Sequence, residues 1–97
     1  MNRAQKIAHI IATFKNIGAQ TAPQLLDAGI ETLDELKRLG AEEAFYNIWA
    51  ANPDEVEINA MYLYALEGAI QQRNCLMIGE ARKTQLQQYA QALRESI

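Results

Sequence analysis

The chain has 97 residues and a mass of 10.9 kDa; 49% of its residues are hydrophobic, 22% are charged and its formal net charge is −3. That is enough for one hydrophobic core and one domain, residues 1–97, and it excludes a wholly disordered chain or a collagen-like repeat. A single cysteine rules out an intramolecular disulfide, and no apolar run approaches the ~20 residues that span a bilayer, so the sequence reads as a small soluble cytoplasmic domain without membrane contact.

The residue inventory also argues against an enzyme. There is one histidine (His9), one cysteine (Cys75) and one serine (Ser96), close to the C-terminus. A Ser-His-Asp arrangement would have to recruit a terminal serine, and Cys and His are too few for a zinc site. No metal and no cofactor are expected; the twelve acidic residues leave an all-carboxylate site as the one remaining route to catalysis. The charge is unevenly spread. Residues 1–26 carry Arg3, Lys6 and Lys15 and no acid, whereas residues 27–67 carry ten acids against Lys37 and Arg38. A nucleic-acid binder concentrates its basic residues on one face, so any DNA contact would be confined to the N-terminal third.

The chain reads as all-α, a bundle of five to six helices. From Ala4 to Phe14, Ile7, Ile10, Ile11 and Phe14 recur at helical spacing and form one apolar stripe, with His9 on the opposite, solvent side. Lys15-Asn16-Ile17-Gly18 is a short break. The pattern Thr-x-x-x-Leu-x-x-x-Gly then occurs twice, as Thr21, Leu25, Gly29 and as Thr32, Leu36, Gly40. Each unit reads as a short helix with a threonine N-cap and a glycine just past its end, and Glu35 makes Thr32 a candidate capping box. Starting the second helix at Thr21 places Pro23 in the first turn, where no intrahelical donor is needed. Residues 41–51 make a fourth helix, with Ala44, Phe45, Ile48 and Trp49 on one face, which Asn52-Pro53 ends.

Asp54 with Glu57 is a second capping-box candidate, opening a fifth helix that runs to about Gln72. Ile58, Met61, Tyr62, Ala65, Leu66 and Ala69, widened by Leu63 and Ile70, leave this helix a polar strip of only Ala60, Tyr64, Glu67 and Gln71. A helix so largely apolar is expected at the centre of the bundle. Gly68 inside it suggests a close helix crossing. Residues 73–79 are a connection, and Leu86, Tyr89, Ala90, Leu93 and Ile97 mark a last helix.

One internal comparison carries more information. Residues 15–22 and 37–44 share Lys-x-(Ile/Leu)-Gly-Ala-x-x-Ala between two helices, with the apolar residue plugging the turn and the glycine suited to a left-handed conformation. This resembles the helix-hairpin-helix unit, whose second helix holds a DNA phosphate on its N-terminal N–H groups. The resemblance makes Lys15, Asn16, Gly18, Ala19 and Gln20, with Arg3 and Lys6 nearby, the candidate phosphate contacts. The second copy carries Glu42 and Glu43 at its helix N-terminus, which repel phosphate and mark it as structural.

Read in order, Asn16-Ile17-Gly18, Leu25, Gly29-Ile30-Glu31-Thr32-Leu33-Asp34-Glu35-Leu36, Leu39-Gly40-Ala41, Ala44-Phe45 and Tyr64-Ala65-Leu66-Glu67-Gly68-Ala69-Ile70 resemble the C-terminal domain of the bacterial TfoX/Sxy family, regulators of DNA transformation competence, over about residues 14–72. Longer members carry an N-terminal α/β domain, and this chain is expected to be the helical domain alone. The resemblance implies a non-enzymatic regulatory module. Its expected partner is a protein, with weak, sequence-independent DNA binding through the Lys15–Gln20 hairpin as the alternative. Phe45, Trp49, Tyr64 and Glu67 are the candidate protein-interface residues, and Phe45 with Trp49 would suit a homodimer. Cys75 reads as a small packed thiol.

Overall fold

The computed structural model describes residues 1–97 as five helices and no strand: α1 (Arg3–Thr13), α2 (Ala22–Asp27), α3 (Leu33–Ala51), α4 (Ala60–Gln71) and α5 (Glu80–Ser96). α4 lies at the centre, packed against α3 on one side and α5 on the other, while α1 and α2 form a pair that meets α3. One apolar cluster runs through all five, from Ile10 and Phe14 through Leu25, Leu36, Phe45 and Ile48 to Leu63, Leu66, Leu86 and Leu93. The all-helical class and the central apolar helix are therefore as the sequence indicates.

α1 starts at a reciprocal cap: Asn2 Oδ1 accepts from the Gln5 amide at 2.8 Å and Gln5 Oε1 accepts from the Asn2 amide at 3.0 Å. Its buried face is narrower than the periodicity suggests. Ile10 and Phe14 are buried, but Ile11 remains 40% exposed and His9 faces solvent.

α2 has six residues, with Pro23 in its first turn as expected, but Thr21 does not cap it. Thr21 is itself in the α conformation and makes no side-chain cap bond; instead the Ala22 amide donates to the Gly18 carbonyl at 2.9 Å, so a turn of the hairpin leads into the helix. α2 closes as a Schellman motif. Gly29 at φ 81° lets its own amide reach the Leu26 carbonyl and the Ile30 amide reach the Leu25 carbonyl, both at 3.0 Å, while Ile30 plugs into the core.

At the start of α3 Thr32 does cap: its Oγ1 accepts from the Glu35 amide at 3.2 Å and its hydroxyl donates to the Glu35 carboxylate at 3.0 Å. The expected third and fourth helices are the two halves of α3, separated by one non-helical residue, Gly40 at φ 80° and ψ 164°. Ala41 and Ala44 just beyond are fully buried, which is what the small side chains after the bend permit.

The expected Asp54/Glu57 capping box does not form. Residues 53–55 make a turn, with the Val56 amide donating to the Asn52 carbonyl at 2.9 Å, and Val56 and Ile58 then plug into the core without helical structure. The cap of α4 is Asn59, whose Oδ1 accepts from the Tyr62 amide at 2.9 Å. Burial of Val56 and Ile58 accompanies a helix start five residues later than the sequence indicates, and local sequence does not carry that information.

α4 ends on Gln72 at φ 58°, a second Schellman closure with the Arg73 amide on the Gly68 carbonyl at 2.8 Å. The close approach expected at Gly68 exists, but not to a helix. A Cβ there would come within 2.8 Å of the Arg73 carbonyl oxygen and 3.1 Å of the Cys75 Cα, and would collide with the Asn16 amide. Residues 73–79 thus fold back over the end of α4. α5 then buries Leu86, Ala90 and Leu93, and Ile97 lies beyond it in solvent.

Candidate functional site

The two Lys-x-(Ile/Leu)-Gly-Ala copies do not share a conformation. In the second, Gly40 carries the positive φ; in the first it is Asn16, at φ 71°, while Gly18 is not left-handed and has open space where a Cβ would sit. Asn16 is also committed elsewhere. Its Nδ2 donates to the Arg73 carbonyl at 2.8 Å and its Oδ1 accepts from the Cys75 amide at 3.0 Å, tying the hairpin to the 73–79 connection. An asparagine suits this position because its short amide both tolerates the left-handed region and supplies a donor and an acceptor.

The other hairpin residues, Lys15, Gly18, Ala19 and Gln20, are exposed. Arg3 and Lys6 do not join them as free cations: Arg3 pairs with Asp27 at 2.9 Å and Lys6 with Glu31 at 3.3 Å, bonds that fasten α1 to the end of α2 and the loop beyond it. Of the three N-terminal cations only Lys15 has no ion pair. With Ile11, Ala12, Thr13, Phe14, Leu33 and Gln72 it lines a groove of about 530 Å³.

Four residues were expected at a protein interface, and the structure separates them. Phe45 is fully buried, meeting the Tyr62 ring edge-on at 5.3 Å between centroids, so it belongs to the core and no partner reaches it. Trp49 is half-buried one turn on, with the 46%-exposed Tyr46 at 5.9 Å; these two are the aromatic pair at the surface. Tyr64 and Glu67 are buried, although they lie on what the sequence marks as the polar strip of α4. α5 lies over that strip and answers each polar group: Gln87 Nε2 donates to the Tyr64 hydroxyl at 2.6 Å, and Arg82 pairs with Glu67 at 3.0 Å. Met61, expected in the core, is instead 53% exposed.

Arg82 is the residue that sequence reasoning missed. Its guanidinium grips both oxygens of Glu42 on α3, with one bond of 2.8 Å, while also holding Glu67 on α4, whose other oxygen accepts from Gln71 at 2.8 Å. One cation therefore links three helices. These hydrogen bonds hold the Glu42 carboxyl below the usual carboxylate range, outweighing the opposing effect of its partial burial. No local signal exposes such a residue, because its partners are 40 and 15 positions away in the chain. Tyr62 is a related strut: its hydroxyl donates to Gln24 on α2 at 2.8 Å, and burial pushes the phenol above the usual tyrosine range.

No group of three His, Cys, Asp or Glu side chains is placed to hold a metal ion, and no helix is long and apolar enough to cross a membrane. The fold and its polar struts define a small helical domain whose accessible features include a groove lined by Lys15 and an aromatic pair. Comparison places it more narrowly: residues 7–90 match the family described as the TfoX C-terminal domain, and the chain belongs to that family. Two crystal structures are similar to it. One, an uncharacterized protein from Listeria monocytogenes in a triclinic form, is 37% identical, with TM-score 0.77 over 87% of this chain and 92% of that one. The other, a protein of unknown function from Listeria monocytogenes in a tetragonal form, is 38% identical, with TM-score 0.76 over 86% of this chain and 98% of that one. Among curated proteins nothing matches.

Proposed function

We propose that the chain is a non-enzymatic interaction module of the competence-regulator type, acting through contacts with another protein. Membership of the TfoX C-terminal domain family supports the regulatory part of this reading. The observation that carries the protein-contact part is the pairing of Arg3 with Asp27 and of Lys6 with Glu31, which leaves Lys15 as the one free side-chain cation of the N-terminal third. Duplex DNA carries about one charge per 1.7 Å, and affinity grows with the number of phosphates neutralised, so Lys15, even with the unpaired Lys37 and Arg73, is a small footprint beside an acidic middle segment.

The test is fluorescence anisotropy with a labelled duplex, at low and at physiological salt, alongside in-cell crosslinking of the tagged chain. The expected result is no salt-sensitive duplex binding at micromolar protein and a specific protein crosslink. Duplex binding that falls steeply with salt and disappears in Lys15→Glu, with no protein crosslink, reverses the assignment in favour of a weak DNA binder working through Lys15–Gln20.

A further inference from the structure

We propose that the groove between the end of α1, the start of α3 and the end of α4 docks an acidic amphipathic segment of a protein partner, with its apolar side chains on Ile11 and Leu33 and its carboxylates on Lys15, Lys37 and Arg73. This rests on the protein-contact reading above and narrows it to one surface and one partner chemistry.

Two independent features meet there. The first is an uncovered apolar floor. Ile11 belongs to the apolar stripe of α1 yet remains 40% exposed, because no other element of the chain closes over the groove that it forms with Ala12, Phe14 and Leu33. The second is charge. Five side-chain cations have no carboxylate partner: Lys15, Lys37, Arg38, Arg73 and Arg94. Three of them belong to residues that line this groove or neighbour its lining. Lys15 lines it, Arg73 follows the lining residue Gln72, and Lys37 lies one helical turn beyond Leu33 on the same side of α3. The bond from Asn16 to its carbonyl holds the backbone of residue 73 in place beside Gln72. Neither carboxylate in the first turn of α3 lines the groove: Glu35 is turned back onto the Thr32 hydroxyl, and Asp34 is the other.

An apolar floor within a cationic rim selects the occupant. Phosphate gains nothing from Ile11 and Leu33, whereas a segment with apolar residues on one face and carboxylates on the other satisfies both parts of the surface. The chain's own most acidic stretch, Asp54–Glu57, does not supply that combination, because Val56 is buried and the following Ile58 is buried too.

The probe is a labelled synthetic peptide of about 14 residues with leucine at helical spacing and glutamate elsewhere, titrated into the ¹⁵N-labelled intact chain. A lysine-for-glutamate version of the peptide and a short DNA duplex serve as competitors of different chemistry. The expected result is chemical-shift change confined to residues near Ile11, Lys15, Leu33 and Gln72, with affinity about tenfold weaker in the Lys15→Glu, Arg73→Glu double variant (~1.4 kcal/mol). Both substitutions are on exposed side chains, and unchanged circular dichroism and melting temperature keep folding out of the comparison. Ile11→Gln tests the floor separately and is expected to weaken the peptide without altering charge. Shifts elsewhere, equal binding of the lysine peptide, or no binding at millimolar peptide overturn the groove assignment. If a protein crosslink maps instead to Tyr46 and Trp49, the groove fails while the protein-contact reading stands. If the duplex displaces the peptide and no protein crosslinks, both fail.

Discussion

Exchanging Gly18 and Gly40, the glycines of the two repeat copies, for alanine separates the repeat seen in the sequence from the conformations actually adopted. Gly40, at φ 80° and ψ 164°, occupies a region essentially reserved for glycine, where another residue costs about 1–3 kcal/mol. No atom lies within 4 Å of a Cβ built there, so the cost is backbone strain alone. Against it stands the lower unfolded-state entropy of alanine, worth about 0.4–1 kcal/mol. Gly40→Ala should therefore lose about 1–2 kcal/mol net. Gly18 is not left-handed and also has open space around its Cβ position, so Gly18→Ala should be neutral or gain up to about 1 kcal/mol. Urea unfolding followed by circular dichroism at 222 nm and by Trp49 fluorescence measures both variants, and 1 kcal/mol corresponds to ~4–8 °C in melting temperature for a domain of this size. Equal losses at the two positions would mean that the copies are conformationally equivalent and that the assignment of the left-handed residue to Asn16 is wrong.

Four further outcomes follow from the structure. Arg82→Ala should cost about 2 kcal/mol, less than the 3–5 kcal/mol of a fully buried pair because Arg82 is 25% and Glu42 34% exposed, and equilibrium unfolding measures it. The Glu42 carboxyl is held below its unfolded value of 4.5, so its stabilisation is fully present above that pH and is lost as pH falls through the lower folded value; Glu42→Gln should flatten the acid side of the stability–pH curve. Phe45→Ala should lose about 3–5 kcal/mol, whereas Tyr46→Ala should change stability by under about 1 kcal/mol, which urea midpoints distinguish; comparable losses would contradict the assignment of Phe45 to the core and Tyr46 to the surface. Gln72→Gly should raise the melting temperature, since relief of a left-handed glutamine (about 1–2 kcal/mol) exceeds the added glycine entropy (about 0.5–1 kcal/mol).

Much of the helical framework, including Gly29 after α2, the Thr32 cap, the bend at Gly40 and the central apolar helix, was legible because each rests on interactions within a few residues or on periodicity along one helix. The candidate site was less so. The sequence identified Lys15 and Trp49 as chemistry-bearing positions, and both have accessible surface, but it also proposed Phe45, Tyr64 and Glu67, which are buried. Helical periodicity reports which side of α4 is apolar; it does not report that α5 lies across the polar side and brings Arg82 and Gln87 to satisfy it. The same limit applies to cations. Composition counts Arg3, Lys6 and Lys15 alike, and only the docking of α1 beside α2 pairs the first two with Asp27 and Glu31.

By itself, then, the sequence determined the class of the fold, the size of its core and its family, because composition, helical period and short motifs act through local geometry. The tertiary structure decided which residues are available to a partner. Exposure, ion pairing and the commitment of Asn16 to the 73–75 backbone all depend on groups far apart in the chain, and no local pattern encodes their meeting.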